Sequence, residues 1–106
     1  MKNTLTKGQI RSIIFKEGDT WYGVALELNI VESGDDPREV MLILDEAIRG
    51  YIKSARKSHL SANILNQKSD SEYENLWNLI QTHKPIRAPF QIYSSSFISL
   101  PLLALS

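Results

Sequence analysis

The stretch SGDDPREVMLILDEAIRGYIKSARKS, residues 33–58, decides the fold of this chain. It begins with a helix start signal, because Asp36 can accept hydrogen bonds from first-turn amides and Pro37 presets φ for the first turn. Apolar residues then recur at steps of three and four, namely Val40, Met41, Leu44, Ala47, Ile48, Tyr51, Ile52 and Ala55. The pattern predicts one long amphipathic helix that follows this start signal and runs to about Ser58, with a wide apolar stripe that needs a surface to lie on.

Three strands are predicted before this helix. Residues 9–16 are rich in β-branched and aromatic side chains, and Gly18-Asp19 supplies the break expected in a hairpin. Residues 20–28 form the second strand, and residues 30–33 form a short third one. Alternation along the second strand places four apolar residues on one face, which we expect the long helix to cover: Tyr22, Val24, Leu26 and Leu28.

The remaining segments complete a single predicted domain, residues 1–106. Residues 1–8 are a polar lead-in, and residues 59–88 contain a second helix, from Asp70 to Thr82, whose first turns are acidic. Residues 89–106 contain either a fourth strand or an arm exchanged with another copy of the chain, followed by an apolar tail. The expected class is therefore α+β, an antiparallel sheet of three to four strands covered by a long helix, in the order β-β-β-α-α-β.

Composition narrows the function classes. Among 106 residues, twelve Lys and Arg balance twelve Asp and Glu, so the overall charge favours neither nucleic acid nor an anionic membrane as partner. Cysteine is absent, which excludes disulfides and thiolate chemistry. The N-terminus lacks the apolar region of a secretory signal, and the apolar tail falls short of the roughly 20 residues that cross a bilayer. A cytoplasmic location is expected.

Four acidic residues in or near the strands are the candidate site: Asp19, Glu27, Glu32 and Asp35. With Asp36 added, they form a carboxylate cluster that could hold Mg²⁺ for a metal-dependent nuclease, although a turn, a helix cap and a solvated sheet face account for the same residues. As an acidic rim, the four residues would instead suit a small basic protein partner. A third hypothesis is a small-ligand pocket near the second helix, between it and the long helix, beside Trp77 and His83.

The apolar tail is the candidate interface between copies of the chain. Its large side chains would expose an apolar patch if they were left in water. Burial against the chain's own sheet and burial against a second copy are both open, and the expected interface residues are Phe97, Ile98, Leu100, Leu102 and Leu103.

Residues 10–57 resemble the HicB-like antitoxin family. The resemblance lies in the strands IRSIIFKEGD, TWYGVALEL and IVESGDD, followed by the helix PREVMLILDEAIRGYIKSARK with Ala47, Ile48 and Tyr51 at family-like positions. It implies a degraded ribonuclease-H-like topology without the catalytic acids. No metal or cofactor is expected. The resemblance also implies a homodimer or tetramer and a prokaryotic setting. The leading hypothesis is a non-catalytic module that self-associates and binds a small basic partner, such as a ribonuclease toxin, at the acidic rim. Residues 59–106 resemble neither DNA-binding module of the family, so DNA binding is not implied.

Overall fold

A four-stranded antiparallel sheet forms the middle layer of the structure, a computed structural model that describes residues 2–58, 62–87 and 90–103. The elements in chain order are β1 (Gln9–Glu17), β2 (Thr20–Ala25), β3 (Ile30–Gly34), α1 (Pro37–Ser58), α2 (Ser71–Gln81), β4 (Phe90–Ser99) and α3 (Leu100–Leu103). Short 3₁₀ turns span Leu26–Leu28 and Ala62–Leu65. The sheet order is β3-β2-β1-β4, with every neighbouring pair antiparallel. The predicted α+β class and fourth strand are confirmed.

Helix α1 packs on one face of the sheet, mainly over β2 and β3. It begins as the sequence predicted, because Asp36 Oδ1 accepts a 2.8 Å hydrogen bond from the amide of Arg38. Its stripe meets Ile10, Ile14 and Ala25 of the sheet in a core of nearly inaccessible side chains, which on α1 are Val40, Leu44, Ile48 and Ile52. The long amphipathic helix is therefore confirmed.

Helix α2 packs on the opposite face of the sheet. It begins after Asp70, whose carboxylate accepts a 2.9 Å hydrogen bond from the amide of Glu72. Its buried residues Leu76 and Trp77 join a second core beneath the helix with four sheet-side residues, Ile13, Phe15, Val24 and Leu26. The sheet is thus covered on both faces, rather than by the long helix alone.

The sequence predicted the wrong face of β2 to lie under α1. Val24 and Leu26 belong to the α2 core, whereas Ala25 belongs to the α1 core. Gly23 is the physical reason: a Cβ there would lie 2.9 Å from Val40 Cγ1, so only a residue without a side chain lets α1 approach so closely. Leu28 does reach the α1 core, because β2 ends at Ala25 and the following 3₁₀ turn reverses the alternation.

The polar lead-in is anchored to the body of the protein. Asn3 is 5% exposed, and its Nδ2 donates a 3.0 Å hydrogen bond to the carbonyl of Leu65. Its Oδ1 accepts a 2.9 Å hydrogen bond from the amide of Gln9 at the start of β1. Leu5 packs against the same core as α1. Residues 2–8 therefore close the end of the α1 core instead of extending into solvent.

Candidate functional site

Strand β4 is an edge of the sheet and is paired only with β1 among the described residues. It is ten residues long, whereas β3 at the other edge has five. Its pairing contains a bulge at Tyr93, because Ile14 pairs with Ser94 and Phe15 pairs with Ile92. A long edge strand presents backbone donors and acceptors that another strand can use.

Two large aromatic side chains of β4 are exposed to solvent. Tyr93 is 45% exposed and Phe97 is 53% exposed. Tyr93 makes an edge contact with Trp21 at a centroid distance of 5.8 Å, and Phe97 makes one with Trp77 at 5.2 Å. These contacts hold each ring against its own chain while leaving about half of it available to a partner.

The serine triplet between these aromatics, Ser94–Ser96, lies within β4. Ser96 Oγ is 2.8 Å from Ser12 Oγ of β1, so the two hydroxyls share a hydrogen bond across the strands. Ser94, Ser95 and Ser96 pair with Ile14, Ile13 and Ser12 of β1, so the triplet belongs to the edge strand.

The tail residues predicted as an interface lie in different environments. Phe97 lies on the surface, whereas Ile98 is half-buried against the α1 core and Leu100 is fully buried in it. Leu100 is therefore not available to a partner, because it completes the chain's own core. Leu102 and Leu103 belong to α3, and their side chains lie outside those that the structure describes.

The structure brings two of the four predicted acidic residues to one end of the sheet. Trp21 pairs with Gly34, so Asp19 before β2 and Asp35 after β3 both lie beyond this pair. Both carboxylates are exposed. Glu32 is the middle residue of β3, further from this end of the sheet, and it is half-buried.

Glu27 is separated from the other predicted acidic residues. Strand β2, six residues long, places it about 20 Å from Asp19, at the opposite end of the sheet. There its carboxylate accepts hydrogen bonds from the amide of Arg11 at 2.8 Å and from the guanidinium Nε at 2.5 Å. Glu27 therefore belongs to an internal ion pair and not to the acidic rim.

Arg11 connects three elements through a second carboxylate that the sequence did not reveal. Its two terminal nitrogens donate to Glu74 of α2 at 3.0 and 2.5 Å, and its guanidinium lies 5.7 Å from the ring centre of Trp77. The hydrogen bond from Arg11 holds the pKa of the Glu74 carboxyl below its usual value, although burial opposes this effect. The arrangement fixes α2 on the sheet, and the single guanidinium of Arg11 is shared by two carboxylates.

Charge is unevenly distributed along α1 although the chain is neutral. Five exposed carboxylates surround its N-terminal end and the β1–β2 turn, and we call them the acidic end: Glu17, Asp19, Asp35, Asp36 and Glu39. The same segments contribute two cations, Lys16 and Arg38. At the other end of the helix, Lys53, Arg56 and Lys57 are exposed. The acidic end therefore has an excess of negative charge at the surface.

A groove of about 520 Å³ runs beside α2. Its lining includes Leu76, Leu79, Ile86 and Phe90 together with Lys84 and Arg87. The predicted location of a pocket between the two helices is wrong, because α1 and α2 lie on opposite faces of the sheet. Trp77 and His83 are not among the residues that line the groove.

Comparisons of the chain with protein-family models, curated proteins and solved structures gave no match. The described residues contain no group of three or more acidic or histidine side chains arranged to hold a metal ion. Within the described ranges, no helix combines the length and the apolar character needed to cross a bilayer. What supports a function is therefore the geometry of β4, the acidic end and the groove.

Proposed function

We propose that this chain is a non-catalytic interaction module of the HicB-like kind. It associates with copies of itself through β4 and binds a small basic protein, such as a ribonuclease toxin, at the acidic end. The element order β1-β2-β3-α1 over residues 9–58 supports the proposal, because it is the order in which residues 10–57 resemble HicB-like antitoxins. The exposed edge of β4 is the observation that carries it.

The edge of β4 has the properties of a strand that another strand can join. Its outer side is unpaired among the described residues, and it carries two half-exposed aromatic rings, Tyr93 and Phe97. Two such edges can pair antiparallel about a twofold axis, which joins the two sheets into one and buries the same patch on both copies.

Light scattering coupled to size exclusion tests the self-association. The full chain is expected to be a dimer or tetramer, and the variant Tyr93→Lys/Phe97→Lys is expected to be a monomer, because charged side chains on an edge oppose strand pairing. Val31→Lys is the matched control, since Val31 is 45% exposed on the other edge strand, β3, and should leave the oligomer intact. A monomeric full chain, or loss of the oligomer only in the Val31 variant, would overturn the proposal.

The acidic end supports the choice of a basic partner. Asp19 and Asp35 are exposed at one end of the sheet, where the excess of carboxylates creates a negative potential that attracts a cationic surface. Glu32 lies further along β3 from this surface, and Glu27 lies at the opposite end of the sheet, where it pairs with Arg11. We therefore assign partner binding to Asp19 and Asp35 rather than to all four residues.

Single charge reversals test this assignment. A tagged chain is expected to retain a small protein of basic isoelectric point from its host, and titration of the two purified proteins should then give a saturable complex. Asp19→Lys and Asp35→Lys are each expected to weaken this complex about tenfold and to slow association at low salt. Glu46→Lys, a reversal on the solvent side of α1, serves as control. Equal binding by all three variants would contradict the assignment.

A further inference from the structure

The groove beside α2 has apolar walls from two segments of the chain. Leu76 and Leu79 form the wall on α2, and Ile86 and Phe90 form the wall on the segment that leads into β4. Leu76 is 4% exposed, while the other three are half-buried, so part of their apolar surface faces the groove rather than the core. Its volume of about 520 Å³ lies within the range of about 300–1,000 Å³ found for small-molecule sites.

Two cations accompany these apolar walls. Lys84 and Arg87 are both exposed and line the groove, and neither side chain forms an ion pair with another described residue. Glu72 is the acidic residue in the same lining, so the groove has a surplus of positive charge. Asn75 adds an amide on α2 that can donate or accept hydrogen bonds.

We propose that this groove binds a small organic anion, a monocarboxylate with an apolar chain or ring. The apolar part lies between the leucines of α2 and the Ile86–Phe90 wall, where it removes half-exposed apolar surface from water. The carboxylate meets Arg87, whose planar guanidinium suits a carboxylate, and Lys84 adds a second positive charge. This site does not depend on self-association or on a basic partner.

Titration of the ¹⁵N-labelled full chain with decanoate tests the proposal. Below the concentration at which the probe forms micelles, amide signals of Leu76, Leu79, Ile86 and Phe90 are expected to shift along one saturable curve. Decanol, of similar length but uncharged, should bind about tenfold more weakly, and the cationic decyltrimethylammonium ion should bind more weakly still. Shifts that do not saturate, or that avoid the groove, would overturn the proposal.

Substitutions in the groove separate the apolar from the ionic contribution to decanoate binding. Lys84→Glu/Arg87→Glu is expected to weaken decanoate about tenfold and to leave decanol unchanged. The control Lys53→Glu/Arg56→Glu has the same three-residue spacing of exposed cations on α1 and should change neither affinity. Asn75→Trp, at an exposed position of the lining, should fill the groove and abolish binding of both probes. Equal decanoate affinity in the two charge-reversal variants would overturn the role of Lys84 and Arg87.

Discussion

The two faces of the sheet are covered in different ways. Helix α1 has 22 residues and lies over a mainly aliphatic core. We call this side of the sheet the closed face because Leu5, Leu65 and Leu100 complete its margin and the cavity left between α1 and β4 is smaller, about 200 Å³. Helix α2 has 11 residues and lies over a more aromatic core, which we call the open face because the groove remains beside it. On the open face, Arg11 and Glu74 add an ion pair across the layer.

We infer from this difference that the closed face stabilises the fold and that the open face is the one available for binding. The closed face buries a continuous apolar stripe, and its packing alone accounts for the position of α1. The open face uses a shorter helix and a specific ion pair, and it leaves apolar and cationic side chains of the groove accessible. A surface that is incompletely covered in this way is available to a ligand or partner.

Truncation in the two cores should have unequal effects. Ile48→Ala on the closed face is expected to lower the free energy of unfolding by about 4 kcal/mol, because Ile48 is fully buried and the void stays enclosed. Leu76→Ala on the open face should cost only about 2 kcal/mol, since the void joins the groove and water can enter it. Urea unfolding monitored by circular dichroism measures both values. Equal losses would remove the distinction between the faces.

Asn3 tests whether the N-terminal segment closes the α1 core. Asn3→Ala leaves the Leu65 carbonyl and the Gln9 amide without their partner, so the free energy of unfolding should fall by about 2 kcal/mol. Thr4→Ala is the control, because the hydroxyl of Thr4 accepts one exposed hydrogen bond from Lys7. Its loss should change stability by less than about 0.5 kcal/mol. Similar values for the two variants in urea unfolding would contradict a structural role for Asn3.

Gly23 tests how closely α1 must approach β2. In Gly23→Ala the new methyl would lie 2.9 Å from Val40 Cγ1 and 3.0 Å from Ile14 Cδ1. Overpacking lowers the free energy of unfolding by about 1–3 kcal/mol, whereas the reduced freedom of the unfolded chain raises it by up to about 1 kcal/mol. We therefore expect Gly23→Ala to lower the free energy of unfolding by about 1 kcal/mol. Gly50→Ala on the solvent side of α1 meets no atom within 4 Å and should stabilise the protein instead. Melting temperatures that move in the same direction would refute this account.

The sequence predicted the elements of the fold because their signals are local. The cap at Asp36 and the apolar stripe of α1 lie within a few turns of one another, and the structure has both. The face of β2 under α1 was wrongly predicted because apolar alternation does not say which face a helix will choose. In this chain the missing side chain of Gly23, and not the larger residues beside it, decides the contact.

The candidate sites were less predictable because their residues come together from distant parts of the chain. Arg11 meets Glu74 across 63 residues, and Asn3 meets Leu65 across 62. Spacing along the sequence cannot predict such pairs, because their residues meet only in the folded chain. The groove has a partial local signal, since Leu76 and Leu79 continue the stripe of α2, but its second wall depends on how the chain returns to β4.

The smallest expected effect concerns the ion pair of the open face. Because Arg11 lowers the pKa of Glu74, the folded state binds fewer protons at this group than the unfolded state does at mildly acidic pH. The stabilisation is therefore fully present above the unfolded pKa, from about pH 5 upward, and is lost as pH falls through the lowered folded pKa. Since the Glu74 side chain is 38% exposed, solvent screening limits the contribution to less than about 1 kcal/mol.

Glu74→Gln removes the titrating group while keeping a side chain of similar size. Urea unfolding from pH 7 to pH 3 should show wild type more stable than this variant at neutral pH, with the difference shrinking toward pH 3. Glu46→Gln, at an exposed position of α1 without an ion pair to a described residue, should stay within about 0.5 kcal/mol of wild type at pH 7. If the difference in free energy of unfolding between wild type and Glu74→Gln is the same at every pH, α2 is held by packing alone. The open face would then rest on the same physics as the closed one, and only the extent of coverage would distinguish them.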